Sequence, residues 1–223
     1  MCGRYSLIVS YDMVEDRFKI VGGVQMPLAP RYNIAPTQEV LVVTNDGMAN
    51  RAEMMKWGLI PSWAKDPAIG NRMINARAET LAEKPSFRTA LRKRRCLIPA
   101  DGFYEWRKDG KRRIPMRITL KSGEPFAFAG LWEGWKNPEG QWIHSCTIIT
   151  TEPNDVMSPI HNRMPVILPR ESEAVWLDTR STDGASLTEL LTPYTASEMD
   201  AYEVSVLVNS PQNDVPDVLA RVG

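Results

Sequence analysis

Long apolar runs, an excess of either charge, and more than a token number of cysteines and histidines are what this 223-residue chain lacks. No stretch approaches the roughly 20 apolar residues that span a bilayer, and no basic segment leads into an apolar one near Met1, so a membrane span and a secretory leader are not expected. The three cysteines, Cys2, Cys96 and Cys146, are far apart and form no CxxC pair. That spacing argues against a disulfide scaffold and a zinc knuckle, and points to a reducing, cytoplasmic compartment. Only His144 and His161 supply imidazole, and no metal or other cofactor is expected. Repeats, low-complexity tracts and long linkers are missing as well.

Charge is balanced at 27 basic and 27 acidic residues, so affinity for a polyanion has to come from local clustering. The clustering is present. Residues 84–117 hold twelve basic side chains against Asp101, Glu105 and Asp109, whereas residues 171–223 hold ten acids against Arg180 and Arg221. The plain reading of such a run is a solvated face.

Short segments rich in β-branched and aromatic residues recur at 40–44, 55–60, 95–106, 114–120, 126–135, 144–151, 165–168 and 204–210, separated by turn signals such as DG, SG and NPEG. Helical pieces are few and short: SYDMVEDRFKI behind a Ser10 cap, SEAVWLDT at 172–179 and LTELL at 187–191. The pattern predicts an α+β fold, mainly antiparallel, with a strongly curved or barrel-like β core and a few short peripheral helices. At 43% apolar the chain can fill one sizeable core, and residues 1–223 are read as a single domain.

Cys2 stands directly behind the initiator. Methionine is normally trimmed from a small second residue, which leaves a cysteine with a free α-amine. Both nucleophiles are then partly reactive near neutral pH, since an α-amine titrates near pKa ~7.8 and a free thiol near ~8.5. Two chemistries use such a residue. The thiol can attack an amide carbonyl with its own amine as base. Alternatively, the amine condenses with an aldehyde and the thiol closes a five-membered thiazolidine on the same carbon, a step open only to a terminal cysteine.

Five stretches carry chemically capable residues: MCGRY at 1–5, RYNIAPTQ at 31–38, INARAET at 74–80, ADGFYEW at 100–106 and IHNRMP at 160–165. Taken in this order behind a residue-2 cysteine, they resemble the signature set of the SOS-response-associated peptidase (SRAP) family, the abasic-site processing proteins. The resemblance covers about residues 2–210. It implies covalent capture of abasic sites in single-stranded DNA by a thiazolidine at Cys2, with lyase activity and removal of Met1 by the protein itself as side branches.

The resemblance also assigns roles. Glu105, between aromatic residues, matches the family's catalytic glutamate, and His161 matches a histidine that assists sugar opening or imine chemistry. Asn75 matches an asparagine that positions the terminal residue and the sugar. Arg77, two residues on and so on the same face of an extended segment, resembles a phosphate contact, as does Arg4; such contacts position a strand without reading its sequence. Trp63 resembles an aromatic that stacks on bases beside the lesion, a contact worth about 1–3 kcal/mol per base. Some relatives carry a second aromatic next to it where this chain has Ala64, which implies a weaker wedge. Thr150 resembles a position near the lesion. Asn33 and Pro36 are read as supports that fix a turn beneath Cys2. Trp57 is a core candidate, His144 matches no motif and is read as structural, and Cys96 and Cys146 as buried small hydrophobes.

The implied partner is single-stranded DNA containing abasic sites. A monomer suits one-to-one trapping, and the sequence names no replication partner. Two other classes compete. An N-terminal-nucleophile glutamine amidohydrolase also begins Met-Cys-Gly, but its glutamine-binding arginine and Asn-Gly element have no counterpart in their expected context here. A non-covalent single-stranded DNA-binding module would bind equally well after Cys2→Ala. A cysteine peptidase acting on other proteins is a further reading.

Overall fold

The fold was obtained as a computed structural model, which describes residues 2–23, 29–180 and 183–222. Among these residues thirteen strands and four α-helices follow one another. They are β1 (Tyr5–Leu7), α1 (Tyr11–Phe18), β2 (Ile20–Gly23), β3 (Arg31–Ile34), β4 (Glu39–Asn45), β5 (Asn50–Trp57), β6 (Asn75–Arg77) and α2 (Arg88–Lys93). The chain continues with β7 (Arg95–Ala100), β8 (Gly102–Asp109), β9 (Arg112–Leu120), β10 (Phe126–Lys136), β11 (Trp142–Thr151), β12 (Met164–Pro165), α3 (Arg170–Leu177), α4 (Gly184–Glu189) and β13 (Met199–Glu203). No helix among the described residues is long and apolar enough to cross a membrane.

Five strands form a ring. β11 pairs with β10, β10 with β7, β7 with β4 and β4 with β5, all antiparallel; a short parallel pairing of Lys56 and Trp57 with Ser145 and Cys146 closes it. The fold is therefore α+β with a barrel-like, mainly antiparallel core. Residues 95–100 of β7 and 126–131 of β10 are buried without interruption, because both faces of these strands are covered, and this is why their sequences read as continuous apolar runs. A second, antiparallel sheet of order β13-β9-β8-β1-β3 packs on the ring. Tyr5 of β1 meets Trp57 and Phe128 edge-on at 5.3 and 5.7 Å, and Phe103 of β8 meets Phe128 at 6.0 Å. Such pairs add about 0.5–1.5 kcal/mol each beyond the area they bury.

Local signals account for several boundaries. Ser10 caps α1 by accepting the Met13 N–H at 3.4 Å, and Lys19 ends the helix in a left-handed conformation. The apolar segment 95–106 is two strands rather than one, broken at Asp101, whose side chain accepts the Ser6 hydroxyl at 2.7 Å and the Ile8 N–H. The segment 204–210, read from its apolar content as a strand, is instead a short 3-10 helix at Val206–Asn209, started by Ser205 accepting the Leu207 N–H. Its residues Val206 and Leu207 are exposed; the local cap overrides β propensity where no neighbouring strand offers a ladder. The strand read at 165–168 is paired in β12 only through Pro165, with an isolated bridge at Ile167.

Between β5 and β6 the chain makes an excursion that returns to the same edge of β11. Gly58, at φ +135°, donates to the Cys146 carbonyl at 2.8 Å and lies back to back with Gly70. A Cβ on Gly58 would stand 2.6 Å from the Gly70 carbonyl oxygen, a backbone atom that cannot swing aside. Gly58→Ala is expected to cost about 2–4 kcal/mol from strained φ and overpacking, read as a lower urea midpoint with an unchanged m-value.

Candidate active site

Cys2 leads into β1, and the pairing of β1 with β8 fixes its surroundings. Tyr5 lies opposite Phe103 and Ser6 opposite Gly102; the Tyr104 N–H donates to the Arg4 carbonyl at 2.9 Å. The same register continued by one residue sets Glu105 level with Gly3. Asp101 anchors this strand pair, taking an ion pair from Arg117 at 3.2 Å besides its bonds to Ser6 and Ile8.

A third strand reaches Cys2 from the ring. β6 runs parallel to β11, with Asn75 opposite Ile148 and Arg77 opposite Thr150. From there the Asn75 Nδ2 donates to the Cys2 carbonyl at 2.8 Å. Its Oδ1 is buried with no hydrogen-bond partner among the described residues, an acceptor whose desolvation costs about 1–3 kcal/mol unless something donates to it. Arg77, on the same strand, is exposed and makes no ion pair among the described residues.

The far side of β11 brings in the histidine. Thr150 is fully buried and lies opposite Pro165 of β12; its carbonyl and hydroxyl both accept from Arg163, at 2.6 and 3.3 Å. Arg163 is also held by a two-pronged ion pair with Glu79 at 2.6 and 3.0 Å, and this keeps the Glu79 carboxyl below its ordinary value. The Arg163 N–H donates to the His161 Nδ1 at 3.0 Å. The Arg163 carbonyl lies 3.2 Å from the same nitrogen, so the ring's tautomer decides which of the two bonds forms. Cys2, Asn75, Thr150 and His161 are thereby joined through one run of contacts across β6, β11 and β12.

Cys2 is fully buried, and its Sγ lies 3.9 Å from the Arg4 carbonyl. Burial pushes the thiol well above the ordinary thiol range; the nearby charge of Glu105, itself buried, pushes in the same direction, while the bond to the Arg4 carbonyl acts weakly against both. The site thus holds the sulfur protonated until something alters its surroundings.

The remaining sequence-named residues divide. Arg4 is half-buried and committed inside the protein: its Nη1 donates to Asn33 Oδ1 at 2.7 Å and to the Val208 carbonyl at 2.6 Å, and its guanidinium lies over Trp106. Burial lowers its pKa. Asn33 differs from its reading as a turn residue. Fully buried on β3, it donates through Nδ2 to the carbonyls of Ser210 and Asn213, tying the segment after β13 to β3. Pro36 does sit in a turn, Ala35 to Gln38, with Thr37 at φ +74°. Trp63 is 59% exposed at the edge of a groove of about 290 Å³ shared with Lys65, Asp66, Ile69 and Arg72. Trp57 is core, its Nε1 bonded to the Ile74 carbonyl. Cys96 and Cys146 are buried, and His144 pairs with Glu53 at 3.2 Å on the ring surface.

Sequence reasoning passed over Arg163, Glu79, Asp101 and Asp214. The first three lie inside quoted motifs and signalled only as flanking charges; Asp214, which accepts the backbone N–H groups of Tyr32 and Asn33, falls beyond the motif-bearing region. A larger cavity, about 740 Å³ between α1, the β4–β5 turn and α3, lies apart from these residues, and its Arg17, Arg170 and Arg180 are each paired with a carboxylate.

A family model described as SOS response associated peptidase (SRAP) matches residues 1–211. The abasic site processing protein YoqW of Bacillus subtilis is 54% identical over 98% of this chain and 99% of its own length. The abasic site processing protein HMCES of Rattus norvegicus is 35% identical over 99% of this chain and 76% of its own. A crystal structure of a Bacteroides thetaiotaomicron protein superposes with a TM-score of 0.90 at 31% identity, covering 99% of this chain and all of that one.

The electrostatics of Cys2 yield one test. Because the Glu105 charge raises the thiol pKa, Glu105→Gln is expected to speed alkylation of Cys2 by iodoacetamide at a fixed, mildly alkaline pH while leaving that of the equally buried Cys146 unchanged. Mass spectrometry of the two cysteine peptides reads this; equal Cys2 rates in both proteins would remove Glu105 from the thiol's environment.

Proposed function

The chain belongs to the SOS response associated peptidase family, and from that premise we propose that it processes abasic sites by capturing them covalently in single-stranded DNA through Cys2. The observation that carries this reading is the hold on Cys2. Asn75 fixes its carbonyl, β8 fixes the strand behind it, and the charge of Glu105 reaches its sulfur.

Loss of Met1 frees the Cys2 amine. A base-less deoxyribose equilibrates between a closed hemiacetal and an open aldehyde. The amine nitrogen attacks the aldehyde carbon; proton transfer to the former carbonyl oxygen releases it as water and leaves an imine. The sulfur then adds to that carbon as its proton passes to the imine nitrogen, closing the thiazolidine with net loss of one water. Closure within one residue is intramolecular, and good orientation contributes about 7–11 kcal/mol relative to a bimolecular step.

Every stage moves a proton, and two groups stand ready to carry them. Glu105 is the base and acid beside the sulfur, and the His161 ring exchanges protons from the β12 side. Asn75 Oδ1 is the acceptor for an N–H or O–H that arrives with the freed amine or the sugar. Arg77 in solvent supplies a phosphate contact for the strand, and Trp63 a surface for a neighbouring base. For Arg4 the role supported by geometry is to brace the strand behind Cys2, with any phosphate contact left to the part of its guanidinium not bonded to Asn33 and Val208. Elimination from the imine, before sulfur adds, is the route to strand scission.

Incubation with a single-stranded oligonucleotide carrying one abasic site is expected to give a heat-stable product at the summed mass less one water. It should form with the wild type after Met1 is lost and not with Cys2→Ala; Cys2→Ser should allow borohydride trapping of an imine without the stable product. No product from a chain shown by mass to begin at Cys2 would overturn the reading, and glutamine hydrolysis would be assayed next.

A further inference from the structure

The basic stretch 84–117 falls into two groups, one around α2 and β7 and one on the hairpin of β8 and β9. Around α2 and β7, Arg94 is ion-paired with Glu133 at 2.7 Å, and buried Arg95 donates to the carbonyls of Leu91, Arg92, Trp176 and Asp178. Arg117 is spent on Asp101 and Tyr202. These three arginines are internal struts, whereas Lys84, Arg88, Arg92 and Lys93 around α2 are exposed and make no ion pair among the described residues.

On the hairpin of β8 and β9 free cations face one another across the two strands. Lys108, Lys111, Arg112 and Arg113 are exposed and make no ion pair among the described residues. Arg107 has a single distant carboxylate, Glu203 at 3.9 Å. The register sets Lys108 directly opposite Arg113, a like-charge cross-strand pair that destabilises the hairpin in isolation. An arrangement that repels itself is explained by an anion that lies across it.

β8 is also the strand that carries Glu105. Alternation places Arg107 on the Glu105 face, and Arg112, opposite Asp109, continues that face outward; Lys108 and Arg113 share the face of Trp106. From Glu105 to Asp109 the strand advances about 13 Å. On this face Arg107 and Arg112 stand at diagonal positions about 7–8 Å apart across the hairpin, with Asp109 directly opposite Arg112. The net charge of the whole chain is zero, so this concentration is local to the end of the strand that leaves the candidate site.

We infer that the β8–β9 hairpin is an arm that tracks the phosphates of the single strand flanking the lesion. The inference rests on the single-stranded DNA reading above and names its path: the strand leaves Cys2 and Glu105 along Arg107 and Arg112 toward the hairpin tip, and not over α2.

The test uses the full chain with Cys2→Ala, so that binding stays non-covalent, and fluorescence anisotropy with an undamaged single-stranded oligonucleotide across a potassium chloride series. The triple variant Lys108→Gln/Arg112→Gln/Arg113→Gln is expected to flatten the log K against log salt slope by about 2 and to weaken binding roughly tenfold or more at ~0.1 M salt. Its thermal midpoint should be unchanged or higher, since a repulsion is removed. The matched variant Arg88→Gln/Arg92→Gln/Lys93→Gln on α2 should keep the wild-type slope. An unchanged slope in the hairpin variant, or an equal loss in the α2 variant, would overturn the inference. Covalent capture is scored separately with Cys2 restored: absence of the adduct with a flattened slope condemns the capture chemistry and leaves the arm standing, and an adduct with an unchanged slope does the reverse.

Discussion

The two-residue parallel seam between β5 and β11 is the constraint from which the rest of the arrangement follows. It closes the five-stranded ring, and it is short because β5 ends at Trp57, where Gly58 turns the chain away. The vacated edge of β11 is then taken by β6. One strand edge thus serves first to shut the barrel and then, two residues further on, to deliver Asn75 to the Cys2 carbonyl. The back-to-back glycines that shape the excursion between the two uses also set where Trp63 emerges. Barrel closure and assembly of the candidate site are in this sense a single event.

The second sheet supplies the other half. β1 is only three residues long, too short to hold a register by itself, and its position depends on side chains that replace a longer ladder. Asp101 does most of this, collecting a hydroxyl, a backbone N–H and a buried arginine at the point where β7 gives way to β8. A residue that breaks one strand run is therefore the residue that orients the next, and Glu105 is carried into place four positions later.

How much of this was legible in the sequence depended on the range of the interaction involved. The Ser10 cap, the long apolar strands and the turns between them are local, and they were readable. The short strands β2, β3 and β13 exist because a neighbour distant in sequence offers a ladder, and nothing in four or five residues announces that. The same division runs through the site. Cys2, Glu105, Asn75 and His161 could be named as candidates from residue type and motif, and the shared face of Asn75 and Arg77 from alternation. That Arg4 is bonded to Asn33 and Val208, 29 and 204 residues away, or that Arg163 joins Glu79 to Thr150, has no local signature. The basic run shows the same limit. Composition locates the charge, and only burial and pairing separate the struts from the free cations.

The clasp between the start and the finish of the chain carries a consequence for biosynthesis. Arg4 and Asn33 are locked by carbonyls of residues 208–213, and Asp214 closes over β3. These partners emerge from the ribosome some two hundred residues after Cys2, a delay of about 10–40 s at ordinary elongation rates. Through that interval the clasp around Arg4 and Asn33 cannot close. The order of translation thus makes this clasp one of the last contacts that the chain can form.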